Sequence, residues 1–201
     1  MAPSAEPTND ALARTGQGEG NAVEWLNEPP AWEARDETLI VTAGPRTDFW
    51  RTTHSGFVCD SGHFWYRPWE GDFVAGVTVT GAYRDRYDQA GLMVRLDKVW
   101  LKCGVEFVDG RQYASVVLTR DHSDWSVAPL PDTPRSLWLR VSRTGPDVEV
   151  RYAVDGEHYD LLRQCRLTDA QPLLVGPMCA APEGAGFEVT FANFAVGPPE
   201  E

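Results

Sequence analysis

The stretch YDQAGLMVRLDKVWLKCGVEFVDGRQYASVVLTR, residues 87–120, reads as three consecutive strands. Asp97-Lys98 suits a two-residue hairpin loop, and Asp109-Gly110 is a strong hairpin signal, because such loops favour residues that tolerate positive φ. If both loops are two residues long, the register follows. Gln89 falls opposite Glu106, and Glu106 opposite Tyr113. Because side chains alternate between the faces of a strand, every row of the sheet can then be laid out.

One face stacks Leu92–Cys103–Val116 and Val94–Leu101–Leu118, with Val105–Ala114 beside them. It reads as a sandwich core. The opposite face has a middle row of Gly91–Gly104–Ser115, almost without side chains. Gln89–Glu106–Tyr113 flanks it on one side and Met93–Lys102–Val117 on the other, with Arg95–Trp100–Thr119 beyond. Glycine inside a strand marks a bulge or a close approach by another group. Two readings of this face stand. In the first it is a groove whose Trp, Tyr, Gln, Glu, Lys and Arg walls grip a polar ligand with apolar ring faces, such as a sugar. In the second the glycines relieve crowding on a curved sheet, the charged rows are cross-strand ion pairs, and a loop covers the trough.

Outward from this stretch, strands and turns continue almost throughout. AWEARDETLIVTAG supplies a short pair around Arg35-Asp36, and DFVAGVTVTG (72–81) alternates cleanly. After a Pro-rich break come SLWLRVSRTG, DVEVRYAVDG, HYDLLRQCRL and FEVTFANFAVG. HFWYRPW (63–69) reads as an aromatic-rich strand covering the core, with His63, Trp65 and Arg67 on one side and Phe64 and Tyr66 on the other. Fifteen Pro and eighteen Gly leave no room for a long helix. Many short strands at this spacing predict an all-β, two-sheet antiparallel β-sandwich. The expected organisation is a disordered tail over 1–20, one domain over 21–197 and a frayed end over 198–201.

The bulk numbers narrow the function. A net charge of −12 argues against a nucleic-acid groove and against an anionic membrane surface. The first twenty residues lack the pattern of a secretory signal, and no apolar run has the length of a membrane span. Cys59, Cys103, Cys165 and Cys179 are far apart and mostly in apolar surroundings, which fits reduced thiols in a cytoplasmic protein.

GHFWYRPWEGDFVAGVTVTG (62–81), YDQAGLMVRLDKVWLKCGVEFVDGRQYASVVLTRDHSDWS (87–126) and LRVSRTGPDVEVRYAVDGEHYDLL (139–162) resemble the concanavalin A-like proteins of unassigned function related to the yeast regulator of enolase. The third segment is shared more loosely by laminin-G-like domains and by the C-terminal sandwich of some family 43 glycosidases. The resemblance implies a concanavalin A-like jelly roll with a concave and a convex sheet. In lectins and glucanases of that superfamily the concave sheet takes the carbohydrate. It supplies no activity, and a fold alone supplies none.

Chemical motifs are few. The carboxylate pattern of laminarinase-like hydrolases is absent, and the trough offers one carboxylate, Glu106, where glycoside hydrolysis usually needs two. His54, His63, His122 and His158 show no ligand spacing with Cys or with one another, so no metal or other cofactor is expected. No catalytic residue is assigned. The expected ligand-binding set is Gln89, Arg95, Trp100, Lys102, Glu106 and Tyr113, extended by His63, Trp138 and Arg140. Trp125 reads as a loop anchor. The leading expectation is non-catalytic binding of a carbohydrate or other polar small molecule. A regulatory module docking on a metabolic enzyme is the second reading, and a sugar-active enzyme the third.

Overall fold

The computed structural model describes residues 23–199, so the expected tail over 1–20 lies outside the described residues. The chain opens with β1 (Glu24–Leu26), β2 (Ala31–Arg35), β3 (Thr38–Thr42), β4 (Phe49–Arg51) and β5 (Val58–Asp60). Then follow β6 (His63–Trp69), β7 (Phe73–Gly81), β8 (Gln89–Leu96), β9 (Val99–Val108), β10 (Arg111–Thr119) and β11 (Ser123–Pro129). The last five are β12 (Leu137–Thr144), β13 (Asp147–Ala153), β14 (Asp160–Arg166), β15 (Leu173–Ala180) and β16 (Glu188–Gly197).

They build an all-β antiparallel sandwich. The first sheet runs β1-β6-β15-β8-β9-β10-β11 and the second β14-β13-β12-β7-β16-β3-β2, with β4 and β5 forming a separate hairpin. The register expected for the opening stretch is the one observed. Gln89 pairs with Glu106, Gly91 with Gly104 and Leu92 with Cys103. Tyr113 then pairs with Glu106 and Ser115 with Gly104. The turns use the backbone their residues favour, with φ of 50° at Asp97, 48° at Asp109 and 80° at Gly110.

Between the sheets, Leu92, Val94, Leu101, Cys103, Val105 and Val116 pack against Phe73, Val77, Val79, Leu139, Val141 and Phe191. A second apolar cluster lies on the other side of the first sheet. There Met93, Trp100, Val117, Met178 and Phe64 are buried beneath Phe49 of the β4–β5 hairpin. The hairpin is a flap over the outer face of the first sheet.

Three strands depart from the sequence reading. β15 occupies a central position although it contains Gly176 and Pro177, residues that argue against a central strand. It tolerates them because its pairing with β6 skips those two positions, passing from Val175–Arg67 to Met178–Phe64. β11 continues the first sheet where a loop was read after the third strand. β12 lies between β7 and β13 in the second sheet, so it cannot extend the face of β8–β10.

Candidate functional site

The glycine row has a structural cause. A Cβ on Gly91 would lie 1.8 Å from the carbonyl oxygen of Cys103, and one on Gly104 would lie 2.0 Å from that of Ala90. The backbones of β8 and β9 approach too closely there for any side chain. The row leaves a cavity of only about 10 Å³, lined by Gln89, Lys102, Gly104, Glu106, Ser115 and Met178 among others. That is room for roughly one water-sized group.

The flap divides the outer face into two halves. Under it, Trp100 is 2% exposed and meets Phe49 edge-on, ring centroids 6.2 Å apart. The expected stacking face of Trp100 is therefore occupied by the protein itself. Arg95 donates from both terminal nitrogens to Asp60 of the flap, at 2.5 and 2.6 Å. Lys102 donates to Gln89 Oε1 at 2.5 Å and to Asp48 Oδ1 at 3.2 Å. The two cations expected in the ligand-binding set thus hold the flap through Asp60 and Asp48. A covering loop, the second sequence reading, is correct for this half.

Beyond the flap the face is open. Tyr113 is half-buried, and Trp125 of β11 is 41% exposed. The Trp125 indole donates to Glu106 Oε2 at 2.8 Å and to Ser115 Oγ at 3.2 Å, while Ser115 Oγ donates to Glu106 Oε2 at 2.6 Å. Trp125 is thus a wall of this half and not a loop anchor. Its ring stands nearly perpendicular to Tyr87, at 81° and 6.2 Å, and Arg86 stacks on Tyr87 at 4.6 Å. Tyr87 sits at φ 68°, which is strained for a bulky residue. Its N–H donates to Phe107 O at 2.6 Å, and its carbonyl accepts from Gln89 Nε2 at 3.1 Å.

Glu106 is buried among these groups. Burial pushes its carboxyl above the ordinary range, and the Asp48 carboxylate adds to that push. Lys102, Ser115 and Trp125 pull the other way. A buried acid with polar partners thus lies beside one exposed aromatic, Trp125, and the half-buried Tyr87 and Tyr113.

Three expected residues lie elsewhere. His63 is on β6 with its side chain away from this face, in the parity of Trp65 and Arg67. Its Nε2 accepts from Gly44 N–H at 2.9 Å, and its Nδ1 bonds Asn27 O at 2.6 Å. Burial holds the ring below its ordinary pKa, and the Asn27 carbonyl opposes that. It is a fixed, neutral link between loops. Trp138 and Arg140 belong to the second sheet, where Arg140 stacks on Tyr159 at 4.7 Å. Sequence reasoning missed Tyr87, Asp48 and which segment supplies the cover. Among the described residues there is no cluster of metal-ligating side chains, and no helix long and apolar enough to cross a membrane.

Comparison with known proteins places this architecture. The chain is 39% identical over 176 residues to the protein named Regulation of enolase protein 1 of Saccharomyces cerevisiae, covering 87% of this chain and 89% of that protein. The crystal structure of a functionally unknown protein from Saccharomyces cerevisiae aligns with a TM-score of 0.85 at 38% identity, over 89% of this chain and 97% of that one. The GH43 protein BlXynB of Bacillus licheniformis aligns with a TM-score of 0.68 at 16% identity, over 87% of this chain but 36% of that one. The last likeness is one of fold, and it agrees with the concanavalin A-like jelly roll expected from the sequence. Residues 25–199 match the family described as Protein of unknown function (DUF1349), and the chain belongs to that family.

Proposed function

We propose that the chain binds a sugar-like, hydroxyl-rich small molecule in the open half of the outer face, without catalysing its turnover. The observation that carries this reading is Trp125, an exposed indole whose N–H is tied to the buried Glu106 carboxylate. An indole fixed by its N–H and open on its ring face is a stacking surface for a sugar ring. Tyr87 and Tyr113 extend the apolar wall. Glu106, Gln89 and Ser115 supply acceptors and donors, and the 10 Å³ cavity between them seats one hydroxyl group. The body of the ligand lies on the aromatic rim. The fold relationship to carbohydrate-active proteins agrees with this reading without establishing it.

A thermal-shift screen of mono- and oligosaccharides tests the proposal, since a ligand that binds only the native state raises the melting temperature. Hits that Trp125→Ala abolishes support it. A complete absence of hits, or hits indifferent to Trp125→Ala, contradicts it.

A second reading has its own support. The relative at 39% identity is named for regulation of enolase, and the −12 charge suits a basic patch on a metabolic enzyme. Calorimetric titration of this chain into the enolase of its own source organism tests it. Salt-sensitive binding is the expected result, and no heat of binding would dismiss it.

A further inference from the structure

We infer that the free edge of β11 is a pairing surface for a second copy of this chain. The inference does not need the ligand reading, although both use Trp125, and it rests on the backbone together with the exposed Trp125 and Val127 side chains. Four strands end the two sheets, and three are protected in the usual ways. β1 is only three residues long. β2 carries Glu33 and Arg35. β14 carries Asp160, Arg163 and Arg166 and pairs with β13 across a bulge. β11 spans seven residues, pairs with β10 without a break and has a single charged side chain, Asp124. It also carries two of the exposed large apolar side chains, Trp125 at 41% and Val127 at 40%.

The bonding pattern shows which groups are free. Leu130 N–H donates to Gln112 O, and Arg120 N–H to His122 O. Hydrogen-bonded and non-bonded pairs alternate in an antiparallel ladder. The even-numbered residues of β11 therefore bond to β10, while Trp125 and Val127 turn both backbone groups outward; Ser123 has the same orientation but is fully buried beside the flap. Pro129, which lacks an N–H, occupies the next outward position, where proline is tolerated on an edge.

This edge is self-complementary about Ser126. In an antiparallel pairing centred there, Trp125 faces Val127 of the second copy and Val127 faces its Trp125. Each such pair exchanges two backbone hydrogen bonds and sets an aromatic ring beside a β-branched side chain on the same face. Ser123, which would meet Pro129, is fully buried beside the flap, so the pairing is confined to the two Trp125–Val127 pairs. Asp124 falls opposite Ala128, with no like charges facing each other. Centring on Val127 would set Pro129 against Trp125 and lose bonds. The Ser126-centred register makes one isologous interface, which closes as a dimer. The flap adjoins it, since Arg51 N–H donates to Ser123 Oγ at 2.9 Å, and its tip exposes Phe57 and Val58.

Sedimentation of the full chain between roughly 1 and 300 µM tests the pairing. The expected result is a concentration-dependent rise to twice the chain mass, strengthened by added salt because each copy carries −12. Val127→Pro removes only an outward N–H, and Val127→Lys places a charge on the edge. Both should sediment at the single-chain mass across the range. Should Val127→Pro disturb the fold, Val127→Lys, which leaves the backbone intact, carries the test. A wild-type chain that stays monomeric throughout, or a folded Val127→Lys that still doubles its mass, overturns the inference.

Discussion

The two halves of the outer face of the first sheet use the same kinds of residue for opposite ends. In the covered half, a tryptophan and two cations are consumed internally: Trp100 by Phe49, Arg95 by Asp60 and Lys102 by Asp48. In the open half, a tryptophan and a carboxylate are tied to each other while the indole ring stays partly in solvent. What separates a core residue from a candidate binding residue here is whether another segment brings a complement. The flap brings an apolar ring and two carboxylates to one half and stops short of the other.

The largest effect that sharpens this comparison is expected at Trp100. Trp100→Ala should cost about 3–5 kcal/mol, as large-to-small changes in packed clusters do. Urea denaturation reads it as a lowered midpoint. A loss below about 1 kcal/mol would place Trp100 outside any true core.

Next is Asp60→Ala, which leaves Arg95 without its carboxylate. A loss of about 1–3 kcal/mol is expected, the range for removing hydrogen bonds to a charged group. Hydrogen exchange should quicken over residues 48–62 and not in β12–β14. Uniform quickening would mean that the flap is not a separable unit.

A third effect concerns Glu106. Burial raises its folded carboxyl pKa above the ordinary value of 4.5, so the folded state holds that proton more tightly than the unfolded chain does. Stability from this group is present at low pH and falls as pH rises from the ordinary value through the raised one. Glu106→Gln removes the titration. The melting temperature of the variant relative to wild type should therefore climb between pH 4 and pH 7. A difference that stays flat or declines would contradict the burial of an ionisable acid in the open half.

The smallest effect on stability is expected at Trp125. Trp125→Ala should change the unfolding free energy by no more than about 1 kcal/mol, because the ring is exposed. Any sugar affinity should fall by about 1–3 kcal/mol through loss of a stacked anchor. A Trp125→Ala loss matching that of Trp100→Ala would erase the distinction between the halves.

Much of the fold could be read from local signals. Asp109-Gly110 fixes a hairpin, alternation fixes which side chains share a face, and together they place Gly91, Gly104 and Ser115 in one row. Alternation says nothing about what lies above a face. Phe49 and Trp100 are far apart in the chain, and residues 45–62 have no periodicity that announces a flap. The pairing of Asp48 and Asp60 with Lys102 and Arg95 is equally non-local. For that reason the charged row looked like a vacant groove. Trp138 and Arg140 show a related limit: their face was read correctly, but the sheet that β12 joins is a matter of topology. β15 was passed over between HYDLLRQCRL and FEVTFANFAVG, since Gly176 and Pro177 interrupt its strand pattern; its pairing with β6 skips those two positions. Trp125 was misplaced because SDWS was read as a loop, although SDWSVAP alternates well enough to continue the sheet.

The central claim, that one half of this face is structure and the other a binding surface, is tested most directly by the indole N–H signals in a ¹H–¹⁵N NMR titration with the saccharides of the screen. The account predicts that the Trp125 signal shifts progressively, because its N–H bridges to Glu106 beside the ligand. The Trp100 signal should stay in place under Phe49. A titration that moves Trp100 and the flap amides while leaving Trp125 unmoved, or one that moves neither, would contradict it.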